Sequence, residues 1–386
     1  MKVYEIATGY TPIPAARGAA TEIVVENLTR ALRAQGVDAE ILDIQSHRRE
    51  CDLPIREVPV PRWLGDTDAS LGLRHKLRRV AYSVCLARDL KALLKTSETD
   101  TVLHFHNQYN LFFFLLLVPR CIRKKVFLVY TNHTGLWRLP WEEIRSTVAK
   151  RYFQEAASMM AADVVFVLNE ETKENLMRHL SIPEARIKVV RNGVDTLRFH
   201  PLSEEEREKE KVRRGLAGKT VILQAGSVCE NKGQMRTLKA LAPLLKEQDN
   251  LVFAYVGAVV EGDYQNTIED TARHLGLEAQ VRYLGAAGPE EMNRLYGLAH
   301  ITVLSSKYEG FPLVTAESLA AGVPAATPFP IGPGCAETVA EALQSRDALA
   351  EAGLAFAREC LTWERVAEEH MKIWEEALCQ RNSTAQ

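Results

Sequence analysis

The sequence predicts an α/β protein built from two doubly wound parallel sheets. Short runs rich in β-branched residues recur along the chain, at 102–107, 126–130, 164–169, 221–226, 251–257 and 301–304. They are too short for helices and are bounded by turn residues, as buried strands are. Segments of helical period lie between them, and that alternation is the pattern of a parallel sheet covered on both faces. At 386 residues the chain exceeds a comfortable single domain, and a charged, apolar-poor stretch at 202–219 reads as a solvated helix and linker that opens a second domain.

Composition narrows the function classes. Hydrophobic content of 46% and charged content of 25% are those of an ordinary soluble globular protein. A net charge of -2 argues against a dedicated nucleic-acid binder. The seven cysteines form no C-x-x-C pair, which suggests reduced thiols in a cytosol rather than a disulfide framework or a zinc site. The N-terminal segment carries Glu5 inside its apolar stretch and reads as a first strand, not a signal peptide. The longest apolar run, 111–118, falls far short of the ~20 residues of a membrane span.

Taken in order, 2–7 is a strand, 21–35 a helix stopped by Gly36, and 39–42 a second strand, a βαβ opening. The proline-rich segment 46–73 is irregular. Its Asp66-Thr67-Asp68 has a metal-binding spacing but no preceding strand, and its flanking Gly65 and Ser70 mark a turn. A basic helical segment follows at 73–94, carrying Arg74, Lys76, Arg78, Arg79, Arg88 and Lys91. With Arg120, Arg123, Lys124 and Lys125 further on, it forms either a solvated basic face or a contact for an anionic acceptor or membrane surface.

The strand 102–107 delivers His106 and Asn107 to a loop. Alternation puts His104 and His106 on one face; with no third ligand near, core or cleft lining is expected over a metal site. The run 111–117 reads as a buried helix. His133 follows the strand 126–130 and can line a cleft. Strands at 164–169 and 187–190 lead to Asn192-Gly193-Val194-Asp195, a tight turn.

In the second half, strands at 221–226, 251–257, 281–284 and 301–304 alternate with helices, and 325–327 is a last short strand. The stretch Glu309-Gly310-Phe311-Pro312-Leu313-Val314-Thr315-Ala316-Glu317 follows the strand 301–304 and runs into a helix. Amides of Phe311, Leu313 and Val314 would sit at a helix N-terminus, where unpaired donors and the macrodipole favour phosphate or sugar oxygens. Pro312 presets the helix start. Glu309 can accept from sugar hydroxyls above the strand end, and Glu317, one to two turns on, from another pair such as those of a ribose. Two carboxylates so placed suit a nucleotide-sugar.

These residues carry a resemblance. Ser305-Ser306, Gly310-Phe311-Pro312 and Glu317-Ser318-Leu319-Ala320-Ala321-Gly322-Val323-Pro324 together resemble the signature of glycosyltransferase family 4, retaining enzymes of the GT-B fold. Asn192-Gly193-Val194-Asp195 is similar to the family's domain-junction motif. The loop from Gly226 and Ser227 to Lys232-Gly233 resembles its diphosphate site, with Ser227 where an arginine is usual. Tyr283, Leu284 and Gly285 resemble its base-binding segment, and Gly18 its N-terminal glycine loop, with Ala19 where a second glycine is usual. His106 and His133 resemble its H-x-H and T-x-H elements. Gly334-Cys335-Ala336-Glu337 resembles a G-G-x-x-E loop, after which the chain is about one strand–helix unit shorter than the family pattern.

The resemblance implies two Rossmann-like domains facing a central cleft, 1–197 with a returning helix at 366–386, and 198–365. It implies a retaining hexosyltransferase with Glu309 on the donor sugar, Glu317 on the ribose, Lys232 on the diphosphate and His133 near the transferred sugar. The donor expected is a nucleotide-diphosphate sugar, UDP-linked, with no metal or other cofactor. The acceptor is a glycan, glycolipid or small molecule, and the location cytoplasmic, with peripheral contact to an anionic membrane. A nucleotide-sugar isomerase of similar fold and a non-catalytic nucleotide-sugar-binding protein are the alternatives.

Overall fold

A computed structural model describes residues 1–14, 19–46, 50–64, 73–96 and 100–384. The chain divides into two compact units, Met1–Gly193 with Trp363–Gln386, and Val194–Thr362. The boundaries fall a few residues before the expected ones because the two chain crossings pair there: Val194 N–H donates to Leu361 O at 2.6 Å, and Val194 bridges Thr362 in parallel.

Among the described residues the first unit holds seven parallel strands: β1 (Lys2–Ile6), β2 (Asp38–Ile44), β3 (Ile55–Val58), β4 (Thr101–Phe105), β5 (Phe127–Thr131), β6 (Val164–Val167) and β7 (Ile187–Val189). Their order is β3-β2-β1-β4-β5-β6-β7. The direction of winding therefore reverses between β1 and β4, and open parallel sheets bind ligands beyond the strand ends at such a reversal. Helices on both faces make the strands apolar almost throughout, so β4 and β5 are buried at every position. The last helix, Trp363–Thr384, packs on the helix Ala20–Ala34, and buries Trp374 completely.

The second unit holds β8 (Thr220–Ala225), β9 (Leu251–Val256), β10 (Val281–Tyr283), β11 (Ile301–Val303), β12 (Ala325–Ala326) and β13 (Cys335–Ala336), ordered β10-β9-β8-β11-β12-β13 and all parallel. Its reversal lies between β8 and β11.

Four expectations change. The segment 46–73 is not irregular throughout, since it carries the edge strand β3, paired in parallel with β2. The solvated helix expected in 202–219 is present as Glu204–Arg213, capped by a box of Ser203 and Glu206, but it buries Glu210 and Lys211, and Arg213 and Arg214 reach Glu291, so the stretch packs on its unit and is not a linker. Cys335-Ala336 is not loop but an edge strand, paired with β12. The apolar helix Gln108–Leu117 is buried only at Asn110, Leu111 and Phe114; Leu116 is 65% exposed.

Candidate functional site

Each sheet gathers polar side chains at its reversal. In the second unit, the loop after β8 ends at Gly233, which caps the helix Gln234–Glu247 with φ of 74°. A Cβ there would lie 2.3 Å from Ser305 O, so the loop after β8 can lie against the loop after β11 only with glycine at this position. Lys232 Nζ donates to Glu309 Oε1 at 2.6 Å, and Ser306 Oγ donates to the same oxygen at 2.5 Å. Two residues expected to meet different parts of a ligand thus pair with each other across the reversal.

Glu309 leads into the helix Leu313–Ala320. Its third and fourth amides, Thr315 and Ala316, donate to Pro312 O; the amides of Leu313 and Val314 make no backbone bond among the described residues. These donors and the helix dipole create an anion-attracting end beside Lys232 and Glu309. Phe311 is buried and anchors the turn. Glu317 accepts from Tyr296 OH at 2.7 Å. Burial raises its carboxyl to about 7, and the Tyr296 bond and Arg198 only partly oppose that.

Arg236 does not replace the arginine absent at Ser227. Its guanidinium donates to the carbonyls of Glu230, Asn231 and Ser305, which holds the loop that carries Lys232. Ser227 contributes its carbonyl to Gln234 Nε2 at 3.0 Å. Tyr283 stands on the edge strand β10 and donates its hydroxyl to Gly257 O at 2.8 Å; Gly285 O receives the Gly257 amide, and Leu284 N–H donates to Tyr255 O. The segment expected to meet the base is thereby tied to the end of β9. A Cβ on Gly257 would meet Gly226 O at 2.1 Å, so the ends of β8 and β9 approach closely.

In the first unit, β1 and β4 place Glu5 beside His104 in register. Glu5 is the third group that the sequence reading did not find near the two histidines, and it lies with them in one buried cluster. The atoms are engaged in hydrogen bonds: His104 Nδ1 to Glu5 at 3.1 Å, His106 Nε2 to Glu5 at 2.7 Å, and His104 Nε2 to Thr131 Oγ1 at 2.6 Å. His106 Nδ1 faces His133 Nε2 at 2.9 Å. Both nitrogens of His106 are therefore occupied, which makes it a support for His133 more than a direct ligand. Burial pushes His106 down to about 4 and His133 well below the ordinary histidine range. Burial pushes Glu5 up, but the facing histidines outweigh it and hold the carboxyl well below the usual carboxylate range.

His106, Asn107 and His133 line a cavity of about 870 Å³ at the ends of β1, β4 and β5. Asn107 caps the helix Gln108–Leu117 by accepting from Tyr109 N–H, and donates to Tyr10 OH at 2.9 Å. Lys76, Arg79, Lys150 and Arg151 also line the cavity, against one carboxyl, Glu155. Glu155 accepts from Tyr130 OH, Asn132 Nδ2 and Trp137 Nε1 at 2.7–3.0 Å, yet burial raises it to about 7. Arg79 stacks 3.6 Å from the Tyr10 ring centroid. The basic segment is thus not a single solvated face: Arg78 is buried and Lys76 and Arg79 face the cavity. Lys150 and Arg151 sit on a π-helical turn, Val148–Tyr152, within a run of helix, a feature frequent at functional sites.

Asn192 is buried among the residues of the first unit, beside Trp363 and His370. Gly18 and Asp66-Thr67-Asp68 lie outside the described residues. The sequence reading missed Glu5, Glu155, Lys150, Arg151 and Tyr10. Glu5 had a signal: an acid inside an apolar strand is buried, and a buried charge needs partners.

The model for Glycosyltransferase Family 4 matches residues 21–198, and that for Glycosyl transferases group 1 matches 205–375. A D-inositol 3-phosphate glycosyltransferase from Corynebacterium kroppenstedtii is 30% identical over 210 residues, 49% of this chain and 47% of that protein. The chain thus spans about half the length of that curated relative. Spore coat protein SA of Bacillus subtilis is 24% identical over 342 residues, covering 85% of this chain and 80% of that one. Among solved structures, the Anabaena HepE protein in complex with UDP superposes with a TM-score of 0.73, over 97% of this chain and 100% of that one. At 16% identity this is a likeness of fold, the GT-B arrangement of two Rossmann-like domains.

Proposed function

Since this chain belongs to glycosyltransferase family 4 and is a transferase of that group, we propose that it moves a hexosyl unit from a nucleotide-diphosphate sugar to a hydroxylated, phosphate-bearing acceptor, with retention at the anomeric carbon. The observation that carries the donor half is the Lys232–Glu309 pair beside the unpaired amides of Leu313 and Val314. When the glycosidic bond to the diphosphate breaks, negative charge develops on the leaving oxygen. An ammonium and a helix N-terminus fixed next to it stabilise that charge without a metal. Glu309, released from Lys232 by the diphosphate, is free to accept from hydroxyls of the sugar. Glu317 and Tyr296 offer the ribose a carboxylate and a phenol. The UDP held by the Anabaena protein supports uracil as the base.

The acceptor half rests on the cavity of the first unit. Four cationic side chains against one buried carboxyl suit an anion, and the phosphate named in the inositol-phosphate relative supports that chemistry. His133 lies on the cavity wall and can bond a reacting or neighbouring hydroxyl. Incubation of the chain with a panel of UDP-hexoses and paired acceptors, phosphorylated and not, followed by product mass measurement, tests the proposal. The expected product is the phosphorylated acceptor plus one hexose with UDP released; isomerised sugar, or binding with no product, would overturn it.

A further inference from the structure

Glu5 stands on β1 and is fully buried. A carboxylate in such a place is costly unless each oxygen is paired, and here both are, by His104 and His106. We propose that Glu5 is a positioning residue of the transferase: through His106 it fixes the tautomer of His133, so that His133 presents the lone pair of Nδ1 to a substrate hydroxyl. This rests on the reading of the cavity as an acceptor site.

The argument follows the protons along the chain of bonds. An ionised carboxylate only accepts, so the hydrogen between Glu5 and His106 resides on His106 Nε2. A neutral imidazole carries one N–H, which leaves His106 Nδ1 as an acceptor. The 2.9 Å bond from that atom to His133 then requires the proton to be on His133 Nε2. His133 Nδ1 is left with its lone pair. No partner for that nitrogen occurs among the described residues, while the residue itself lines the cavity. With both of its hydrogen-bonding states decided from behind, His133 can accept from a hydroxyl but cannot donate to one.

The surroundings reinforce the choice. His104 shares Glu5 and bonds Thr131, and His370 is anchored through Nδ1 to Val366 O at 2.7 Å, so each of these rings is held in place. The ring centroids of His106 and His133 lie 5.2 Å apart with an interplanar angle of 26°, edge to edge as their hydrogen bond requires. His104 Nδ1 reaches both oxygens of Glu5, at 3.1 Å and 3.0 Å, and so shares with His106 the oxygen that His106 holds at 2.7 Å. An amide in place of Glu5 would satisfy His104 with its oxygen and turn its NH₂ toward His106. That change reverses every bond along the chain and moves the proton of His133 to Nδ1, with almost no change in shape.

The test uses the full chain with ¹⁵N-labelled histidine and long-range ¹⁵N–¹H spectra, which distinguish Nε2–H from Nδ1–H. The wild type is expected to show Nε2–H at His106 and His133. Glu5→Gln is expected to shift both to Nδ1–H and to lower kcat at least tenfold, with the KM for the donor unchanged. Nδ1–H on His133 in the wild type overturns the proposal, as do unchanged tautomers in Glu5→Gln or switched tautomers with unchanged kcat. If Glu5→Gln does not fold, the wild-type spectrum decides. A wild type with the expected tautomers that makes no glycosylated product would instead refute the transferase reading, since the spectra do not depend on turnover.

Discussion

At the scale of single residues, the site is a set of charges held close and unequal. Lys232 and Glu309 neutralise each other without ligand, so each should count twice: once toward the substrate and once toward its partner. We expect Lys232→Ala to cost on the order of 3 kcal/mol of transition-state stabilisation, about a hundredfold in kcat/KM, by removing a charge-assisted contact from the leaving diphosphate. The Lys232→Ala, Glu309→Gln double variant should lose less than the sum of the two singles, which steady-state kinetics will show. Because Arg236 is spent on three carbonyls, Ser227→Arg should tighten UDP by roughly 1 kcal/mol; weaker binding by calorimetry would mean that another cation already serves that place. Glu317 adds a pH dependence. Its carboxyl, raised to about 7, must ionise to accept from ribose hydroxyls, so UDP affinity should rise with pH across that value. Titration in buffers of different ionisation enthalpy should detect about one proton released at pH 6 and almost none at pH 8.5.

At the scale of elements, most of the architecture was written in periodicity. Except for the edge strands β3 and β13, the strands of both sheets were legible because parallel strands buried on two faces read as apolar runs, and the Glu309–Glu317 stretch because its prolines, glycines and acids fall at fixed places in a strand–loop–helix unit. What stayed hidden was lateral. Nothing in β1 alone says that Glu5 lies in register with His104, nor in 148–152 that Lys150 and Arg151 reach the cavity of His133. The helix 204–213 was legible as a solvated helix, and most of it is exposed; that Glu210 and Lys211 are buried and that Arg214 pairs with Glu291 was not. The loop at Gly233 gives an element-scale prediction. Gly233→Ala places a Cβ in left-handed backbone and against Ser305 O, and should destabilise the second unit by about 1–3 kcal/mol while weakening UDP binding. On the first unit, exposed Leu116, Phe153 and Met160 occur on two helices packed together, 108–117 and 153–161. Vesicle co-sedimentation at low salt tests that face as the peripheral membrane contact; no binding to anionic vesicles removes it.

At the scale of the whole molecule, buried titratable groups should shape stability. His106, His133, His300 and His370 are all pushed down by burial, so the unfolded chain binds more protons than the folded one as pH falls below about 6.5, and stability is lost in that direction. Glu22, Glu155 and Glu317, raised to about 7, act with the opposite sign: the folded chain binds more protons between about 4.5 and 7, and their part of the stability is lost as pH rises through that window. Four histidines against three carboxyls, with Glu5 held low adding to the loss in acid, should leave the unfolding midpoint highest near pH 6.5 and falling on the acid side; a midpoint still climbing at pH 8 would contradict these assignments. The central claim, a donor site at the reversal of the second sheet with two carboxylates in different roles, is tested most directly by one measurement. Initial rates of UDP release over a range of UDP-hexose concentrations are compared for the wild type, Glu309→Gln and Glu317→Gln. A contact to the reacting sugar strengthens at the transition state, so Glu309→Gln should lower kcat with little change in KM; a ribose contact is equal before and after, so Glu317→Gln should raise KM with little change in kcat. Equal effects of both variants on both constants would contradict the account.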